Sequence, residues 1–205
     1  MSAPTRLFTA FCLVLLACPA LAQAPRGTPT RIRGTVIRLD GHMLLVHSRE
    51  GENLSITLAP DFTVSAVVKK QLSDIRNGDF VASTSVRGAD GRLRAVEVHI
   101  LPNTLRGVVR EGQFPWGLVP HDLMTNATLA GITTAPQGRV LHVTWKGGSA
   151  EIAVPPGAPI VGFAPGDASL LKPGAAVFVG ALKKPDGTLF AARVTAEKNG
   201  VKPPL

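Results

Sequence analysis

The chain has 205 residues, of which 45% are hydrophobic and 18% charged, a composition that supports a packed core and argues against intrinsic disorder. Its 21 Gly and 17 Pro disfavour long helices and favour short strands joined by turns. The net charge is +8, but the basic residues are spread along the chain and Tyr is absent. This distribution argues against a nucleic-acid binder, which concentrates basic and stacking side chains on one face.

Residues 1–22 have the pattern of a secretory signal peptide. Arg6 is the only charged residue among them, the apolar run spans residues 7–17, and Ala20-Leu21-Ala22 forms a small-x-small cleavage site. We therefore expect a mature chain that starts near Gln23 and is periplasmic or secreted. The apolar run is short for a bilayer span, and no comparable run follows it, so no membrane span is expected.

Leu15-Leu16-Ala17-Cys18 loosely resembles a bacterial lipobox, so a lipoprotein acylated on Cys18 is the minority alternative. Cys12 and Cys18 are the two cysteines of the chain. A mature chain from Gln23 would contain neither, and would have no disulfide, thiolate metal site or cysteine nucleophile.

The chain repeats itself once, with an offset of 97 and then 96 residues. Ten positions between Ile56 and Val98 recur at the second offset. The repeat predicts a first barrel at 31–101, a linker at 102–127 and a second barrel at 128–199. At the first offset, the matching pairs are Gly34 and Gly131, Gly41 and Gly138, Leu44 and Leu141, Val46 and Val143, and Gly51 and Gly148.

Each repeat is predicted to form short strands and one helical turn. Asp40-Gly41 and Asp90-Gly91 are hairpin signals, and residues 73–78 predict a helical turn that Ser73 or Asp74 caps and Gly78 ends. The predicted fold is therefore all-β, with two tandem OB-like small barrels, each with one short helical turn. An SH3-like barrel is the alternative. The strands of the first unit are predicted at 33–39, 42–48, 53–58, 62–67, 79–86 and 92–100.

The last strand of the first unit alternates between two sets of side chains. One set is apolar and is predicted to face the barrel core: Val96, Val98 and Ile100. The other is predicted to face outward: Ala95, Glu97 and His99.

A family resemblance rests on three segments of the first unit: 33–36 (RGTV), 73–81 (SDIRNGDFV) and 90–95 (DGRLRA). They resemble bacterial exported domains of unknown function built as OB-like barrels. Segments 124–128, 163–167 and 170–174 are similar to a two-copy subgroup, some of whose members are labelled "metal ABC transporter permease". The resemblance covers nearly all of the mature chain and implies no catalytic residues.

The five histidines do not have the spacing of a metal motif. His42 and His47 are separated by an odd number of positions on one predicted strand, so they point to opposite faces. His47 and His99 would approach each other only if their strands paired. We therefore predict no metal site, no cofactor and no catalytic residue. The remaining two histidines are His121 and His142.

The linker concentrates polar and aromatic residues, and two interpretations of Trp116 stay open. It packs between the barrels and holds them together, which we favour, or it lines a cleft between them that binds a ligand. The last hairpin of the first unit adds a group of arginines. The candidate ligand-binding residues are Arg87, Arg92, Arg94, Glu111, Trp116, His121 and Asp122.

These observations predict an exported, non-enzymatic binding or structural module of the bacterial envelope. We favour a basic surface with no dedicated partner, and an anionic envelope polymer or an envelope protein is the alternative that the positive charge leaves open. The alternative is a periplasmic metal-handling accessory protein or metal-dependent hydrolase. It would use His47, His99, His121 and Asp122.

Overall fold

The computed structural model describes residues 27–136 and 138–203, so the predicted signal peptide and Cys18 lie outside the described residues. Within these ranges, three 3-10 turns, at Leu72–Asp74, Asn103–Leu105 and Ala168–Leu170, interrupt an all-β chain. Across the same described ranges, no helix has the length and apolar character needed to span a membrane. The strands are β1 (Thr28–Asp40), β2 (Met43–Ser48), β3 (Asn53–Lys69), β4 (Phe80–Arg87), β5 (Leu93–Leu101), β6 (Gly112–Pro115), β7 (Leu123–Ala135), β8 (Gly138–Trp145), β9 (Gly148–Val154), β10 (Ile160–Gly166), β11 (Ala176–Lys183) and β12 (Leu189–Ala196).

The strands close into two five-stranded barrels, which confirms the predicted all-β fold class. Going round the first barrel, the strand order is β1, β2, β3, β12 and β11, and β11 pairs with β1 to close it. The second barrel runs β7, β8, β9, β5 and β4, and β4 pairs with β7. In each barrel one pair is parallel, β12 with β3 and β5 with β9. Both rings are consistent with OB-like barrels.

The strand pairing corrects the prediction of self-contained barrels at 31–101 and 128–199. The first barrel takes three strands from the first half of the chain and two from the second half, and the second barrel does the reverse. The predicted strands 53–58 and 62–67 are in fact one strand of 17 residues, β3. Because β3 continues past its own barrel instead of turning back, β4 and β5 follow in the other one.

The two halves meet where β3 pairs with β10. Val67 lies opposite Phe163 in this antiparallel pair, and the two positions are 96 residues apart, the offset seen in the sequence. Beside it, Val64 of β3 pairs with Val194 of β12, and Ile160 of β10 pairs with Val98 of β5. The second pairing replaces each residue of the first by its match 96 residues away in the other half of the chain. Because β3 belongs to the first barrel and β10 pairs with both β3 and β5, the two barrels are continuous through one sheet.

The first strand of each half matches at a different offset from the one predicted. Gly34 lies opposite Val177, whereas Val81, which matches Val177, lies opposite Ala127. The counterpart of Gly34 is therefore Ala127 and not Gly131. A side chain at Gly34 would collide with the carbonyl of His47, while Gly131 has open space around it. The shift arises because the hairpin between β7 and β8 is longer than the one between β1 and β2.

Each barrel encloses its own apolar core, and each core contains residues from both halves of the chain. Burial of these side chains, at roughly 25 cal/mol per Å² of apolar surface, is the main stabilising term. The first core includes Leu44 and Val46 of β2 with Val177 and Val179 of β11. The second is formed by Ile75, Val81, Leu93, Ala95, Val98, Ala127, Leu129, Leu141, Val143, Ile152 and Val154.

A β-bulge changes the predicted alternation of β5. The register between β4 and β5 shifts at Val96, because Thr84 lies opposite Glu97 but Ser85 lies opposite Ala95. Ala95 therefore faces the core, contrary to the prediction. Glu97 and His99 do point out of the barrel, but both are buried, since the rest of the chain covers that surface.

The local turn signals predict the structure well. Gly41 and Gly91 have positive φ values of 54° and 77° at the hairpins where glycine is expected. The helical turn spans only Leu72–Asp74, so Gly78, at φ 89°, does not end it as predicted and lies instead in a separate turn that the Asp79 N–H closes on the carbonyl of Arg76. The carboxylate of Asp74 accepts a hydrogen bond of 2.8 Å from the N–H of Gln71, so the cap is Asp74 acting backward on Gln71.

Candidate functional site

A cleft of about 540 Å³ lies between the two barrels, and we call it the inter-barrel cleft. Strands β11 and β12 of the first barrel and β4, β5 and β7 of the second contribute to its walls, and segment 101–116 covers one side. Three aromatic side chains, Trp116, Phe163 and Phe178, dominate the apolar lining. The volume is within the range of cavities that bind small molecules.

A contiguous polar patch crosses one wall of the inter-barrel cleft. Arg193 of β12 lies opposite Thr63 of β3, and two residues further on Thr195 lies opposite Ser65. Since residues two apart on a strand share a face, all four side chains point the same way, and all four line the cleft. The patch therefore presents one guanidinium and three hydroxyl groups.

The second barrel contributes a buried carboxylate and imidazole. Glu97 and His99 are only 7% and 6% exposed, and His99 lines the cleft. Thr84 donates a 2.8 Å hydrogen bond from its Oγ1 to Oε1 of Glu97. Nε2 of His99 lies 3.2 Å from the same oxygen, but without hydrogen-bond geometry, so this nitrogen has no aligned partner. The Phe163 ring packs against His99 at 5.7 Å between centroids.

Trp116 joins the two barrels at the cleft. Its ring centroid lies 5.8 Å from that of Phe178 in the first barrel and 6.3 Å from that of Phe114. Phe114 belongs to a small buried cluster with Ala82 and Met124, which are residues of the second barrel. Trp116 therefore occupies both of the positions considered from the sequence: it packs between the barrels and it lies on the cleft wall.

Two arginines of β1 lie against the indole ring of Trp116. The Arg31 guanidinium is 4.2 Å from the ring centroid and that of Arg33 is 5.3 Å away, distances typical of cation–π contacts. Arg33 is buried, and its Nε and Nη2 atoms have no hydrogen-bond partner. Burial, with the nearby charges of Arg49 and Arg31, lowers the pKa of Arg33, while Glu97 opposes the shift.

Asp122 fixes the loop that carries Trp116. Its carboxylate accepts hydrogen bonds of 2.7, 2.8 and 3.0 Å from the N–H groups of Gly117, Leu118 and Val119. Burial alone raises the pKa of Asp122, but these backbone hydrogen bonds outweigh it, so the pKa lies below its ordinary value. Arg49 donates to the carbonyls of Leu118 and Gly117 from the other side. The loop is thereby held to the first barrel.

Of the seven predicted ligand-binding residues, Trp116 alone lines the cleft among the described residues, and Asp122 holds the neighbouring loop without lining it. Glu111 and His121 are exposed on the linker and do not line the cleft, and His121 adopts a left-handed φ of 60°. The three arginines of the β4–β5 hairpin, Arg87, Arg92 and Arg94, are also outside the cleft lining.

The hairpin arginines hold their own turn. Arg87 donates a 2.6 Å hydrogen bond to the carbonyl of Gly91. Arg94 forms a 2.8 Å salt bridge with Asp90, and Asp90 also accepts from the N–H of Arg92. Two of the three predicted binding arginines are thus committed to local turn contacts.

The histidines are distributed over separate parts of the fold. His47 pairs with β1 and β3 and lies 2.9 Å from Asn53, so it does not approach His99 as one of the sequence alternatives required. His142 contacts Thr133 and Glu151. Within residues 27–136 and 138–203, no three His, Cys, Asp or Glu side chains converge as metal ligands.

Sequence reasoning did not single out Arg33, Phe163, Phe178 or Arg193. Arg33 and Arg193 look like ordinary solvent-facing strand residues, because only pairing between the two halves puts them beside the cleft. Phe163 and Phe178 look like core residues for the same reason. No local sequence pattern marks these four positions.

Comparisons with known proteins assign no family. No protein-family model, curated protein or solved structure matches the chain. The residues of the inter-barrel cleft therefore carry the functional argument.

Proposed function

We propose that this protein is an exported, non-enzymatic binding module of the bacterial envelope, which holds a small ligand in the inter-barrel cleft. The single observation that carries the proposal is the cleft itself, about 540 Å³ in volume and walled by Trp116, Phe163 and Phe178. Apolar cavities with a few convergent polar groups are the usual form of small-molecule sites. Export rests on the signal-peptide pattern of residues 1–22.

The polar groups around the cleft support binding better than catalysis. The carboxylate of Asp122 is occupied by three backbone N–H groups, and Glu97 accepts a hydrogen bond from Thr84. His47, which the hydrolase alternative would use, contacts Asn53 in the first barrel. A nucleophile or a general base needs a reactive atom directed at the substrate, and these contacts direct the atoms of Asp122, Glu97 and His47 elsewhere. His99 does line the cleft, but its Nε2 makes no hydrogen bond to a nucleophilic side chain among the described residues.

The cleft can be blocked by one substitution. Gly180 lines it, and a Cβ added at that position would have no atom within 4 Å, so Gly180→Leu projects a side chain into the cleft without a clash at Cβ. Gly131→Leu is the matched control, because Gly131 also has open space but does not line the cleft. Both glycines lie in strands and have no left-handed φ.

The binding test uses the neutral fluorescent probe N-phenyl-1-naphthylamine with the mature protein. We expect saturable one-to-one binding, weakened at least about tenfold by Gly180→Leu and unchanged by Gly131→Leu. Equal binding by all three proteins, or no saturable binding by any of them, would overturn the proposed site. Thermal unfolding of each variant checks that the fold is retained.

Export is tested separately by the mass and the N-terminal sequence of protein recovered from the periplasm. A mature chain that begins at Gln23 supports the proposal. An acyl group on Cys18 would show that the protein is tethered to a membrane surface, and a chain that retains residues 1–22 in the cytoplasm would contradict export.

A further inference from the structure

The ionisable side chains that line the inter-barrel cleft are basic ones. Among the described lining residues, Arg193 is the one that carries a permanent charge, and none is an aspartate or glutamate. Arg193 is exposed and makes no side-chain hydrogen bond or ion pair within residues 27–136 and 138–203. An unpaired guanidinium on the wall of an apolar cleft is a site for an anion, because it offers several N–H donors in a fixed geometry.

The hydroxyl groups around Arg193 suit the same ligand. Thr63 is its direct partner across the β12–β3 pair, and Ser65 and Thr195 form the next pair on that face. Hydroxyl groups donate hydrogen bonds to a carboxylate, which accepts at both of its oxygens. The patch can therefore bind a carboxylate through charge and hydrogen bonds together.

Positive charge also lies behind the aromatic wall. Arg33 is buried between Trp116 and Phe178, at 5.3 and 5.4 Å from their ring centroids. Its Nε and Nη2 atoms lack partners, so nearby Glu97 does not hydrogen-bond to them. In a region from which water is excluded, such a charge acts over a longer range than it would in solvent, and it favours an anion in the cleft.

Apart from Thr104, Asn126 and the imidazole of His99, the rest of the lining is apolar. Leu105 and Met124 lie with the three aromatic side chains on the cleft walls. A small hydrophilic anion would leave this surface uncovered, whereas a ligand with an apolar body would bury it. The cleft thus has a cationic, hydroxyl-bearing patch and an apolar surface.

We propose that the ligand is an amphipathic organic anion, with a carboxylate that binds to Arg193 and its neighbouring hydroxyl groups and an apolar body that lies against Trp116, Phe163 and Phe178. This inference rests on the proposed function and specifies its ligand class. The charge complementarity of the lining favours an anion over a neutral or cationic amphiphile of the same shape.

The test compares three probes with the same ten-carbon chain: decanoate, decan-1-ol and decylammonium. The protein is the Trp145→Phe variant, in which Trp116 is the remaining tryptophan, so that its fluorescence reports on the cleft. We expect decanoate to bind about fivefold more tightly than decan-1-ol, and decylammonium to bind least tightly. Added salt should reduce the preference for decanoate.

Arg193 variants in the same background locate the charge. Arg193→Gln should bring decanoate to the affinity of decan-1-ol, a loss of about fivefold, and Arg193→Lys should retain most of the preference. Arg38→Gln, an exposed arginine of β1 outside the cleft lining, removes the same charge and should change nothing. Thermal unfolding shows that each variant is folded.

The outcomes separate this inference from the proposed function. If decanoate and decan-1-ol bind equally and Gly180→Leu weakens both, the anionic ligand class is wrong and the cleft still binds. If Arg193→Gln and Arg38→Gln reduce decanoate binding equally, the carboxylate site is wrong. If no probe binds, both the ligand class and the binding function lose their support.

Discussion

The two barrels have the same strand framework but differ in the strand that faces the cleft. In the first barrel, β11 places Val179 and Ala181 in the core. The matching positions of β4, 96 residues earlier, are Ser83 and Ser85, and both hydroxyl groups are buried. Among the residues that the structure describes, the first core contains sixteen buried residues and the second eleven, while four partly buried hydrophobic residues pack against the first core and eight against the second.

The hydroxyl groups of β4 hold Glu97, which is buried next to the cleft residue His99. Ser83 donates to the carbonyl of Glu97 at 3.0 Å and lies 3.0 Å from the hydroxyl of Ser85. Thr84 holds the Glu97 carboxylate. The second barrel thus has buried hydroxyl groups on β4 where the first barrel has apolar side chains on β11, and Ser83 and Thr84 use theirs to hold Glu97.

Dividing the chain into its two halves should have the largest effect, because each barrel needs strands from both halves to fold. A fragment of residues 27–101 lacks β11 and β12, so neither barrel closes and the fragment should be unfolded in circular dichroism and NMR spectra. Co-expression of residues 27–108 with 109–203 supplies every strand and should restore a folded complex. A stable, monomeric fragment 27–101 would contradict the strand exchange.

Exchanging the matched core residues sharpens the comparison. Val179→Ser puts a hydroxyl into an apolar core and leaves a small cavity, so it should lower the free energy of unfolding by about 3 kcal/mol. Ser83→Val loses two hydrogen-bond contacts but adds apolar burial, so its net effect should be within about 1 kcal/mol. Chemical denaturation measures both. Equal effects of the two changes would show that the strands are energetically alike.

A substitution at Asp122 tests how much the linker loop contributes to the free energy of unfolding. Because its folded pKa is lowered, its stabilisation is present above the unfolded pKa of about 4 and is lost as the pH falls through the lower folded pKa. Asp122→Asn should reduce the free energy of unfolding at neutral pH by about 2 kcal/mol and weaken the loss of stability below about pH 4. Asp61→Asn, at an exposed position, is the control. An unchanged acid profile in Asp122→Asn would refute the role.

The substitution Glu97→Gln should have the smallest effect, and the effect should be on the affinity of the cleft for an anion. Glu97→Gln keeps an oxygen for Thr84 but removes a negative charge beside His99. Decanoate should therefore bind about twofold to threefold more tightly, with no change for decan-1-ol, as measured by Trp116 fluorescence. A parallel change for both probes would mean that the substitution alters the shape of the cleft.

Local features of the fold were predictable from the residues themselves. The hairpins at Gly41 and Gly91 follow from backbone conformations that glycine adopts without strain. The bulge at Val96 was not predictable, because an extra residue in a strand shows only against its partner strand. The four-residue shift between the first strands of the two halves was not predictable either. It makes Ala127, and not Gly131, the position equivalent to Gly34.

The candidate site was only partly within reach of the sequence. Trp116 stood out as an aromatic residue in a polar linker, and the structure places it in the cleft. Arg193 and Phe178 gave no such signal, because they come to the cleft through pairings of β11 and β12 with strands more than one hundred residues away. The arginines of the β4–β5 hairpin stood out as a group, but local turn contacts hold Arg87 and Arg94.

The all-β character of the chain follows from the residues alone, since strand alternation and turn residues are encoded over short distances. Only the tertiary structure decided which strands share a barrel, and with that where the cleft lies. The physical reason is that β3 runs from one barrel into its pairing with β10, so each half completes its barrel with strands of the other. The polar patch around Arg193 is a product of that exchange, because it is formed where β12 pairs with β3.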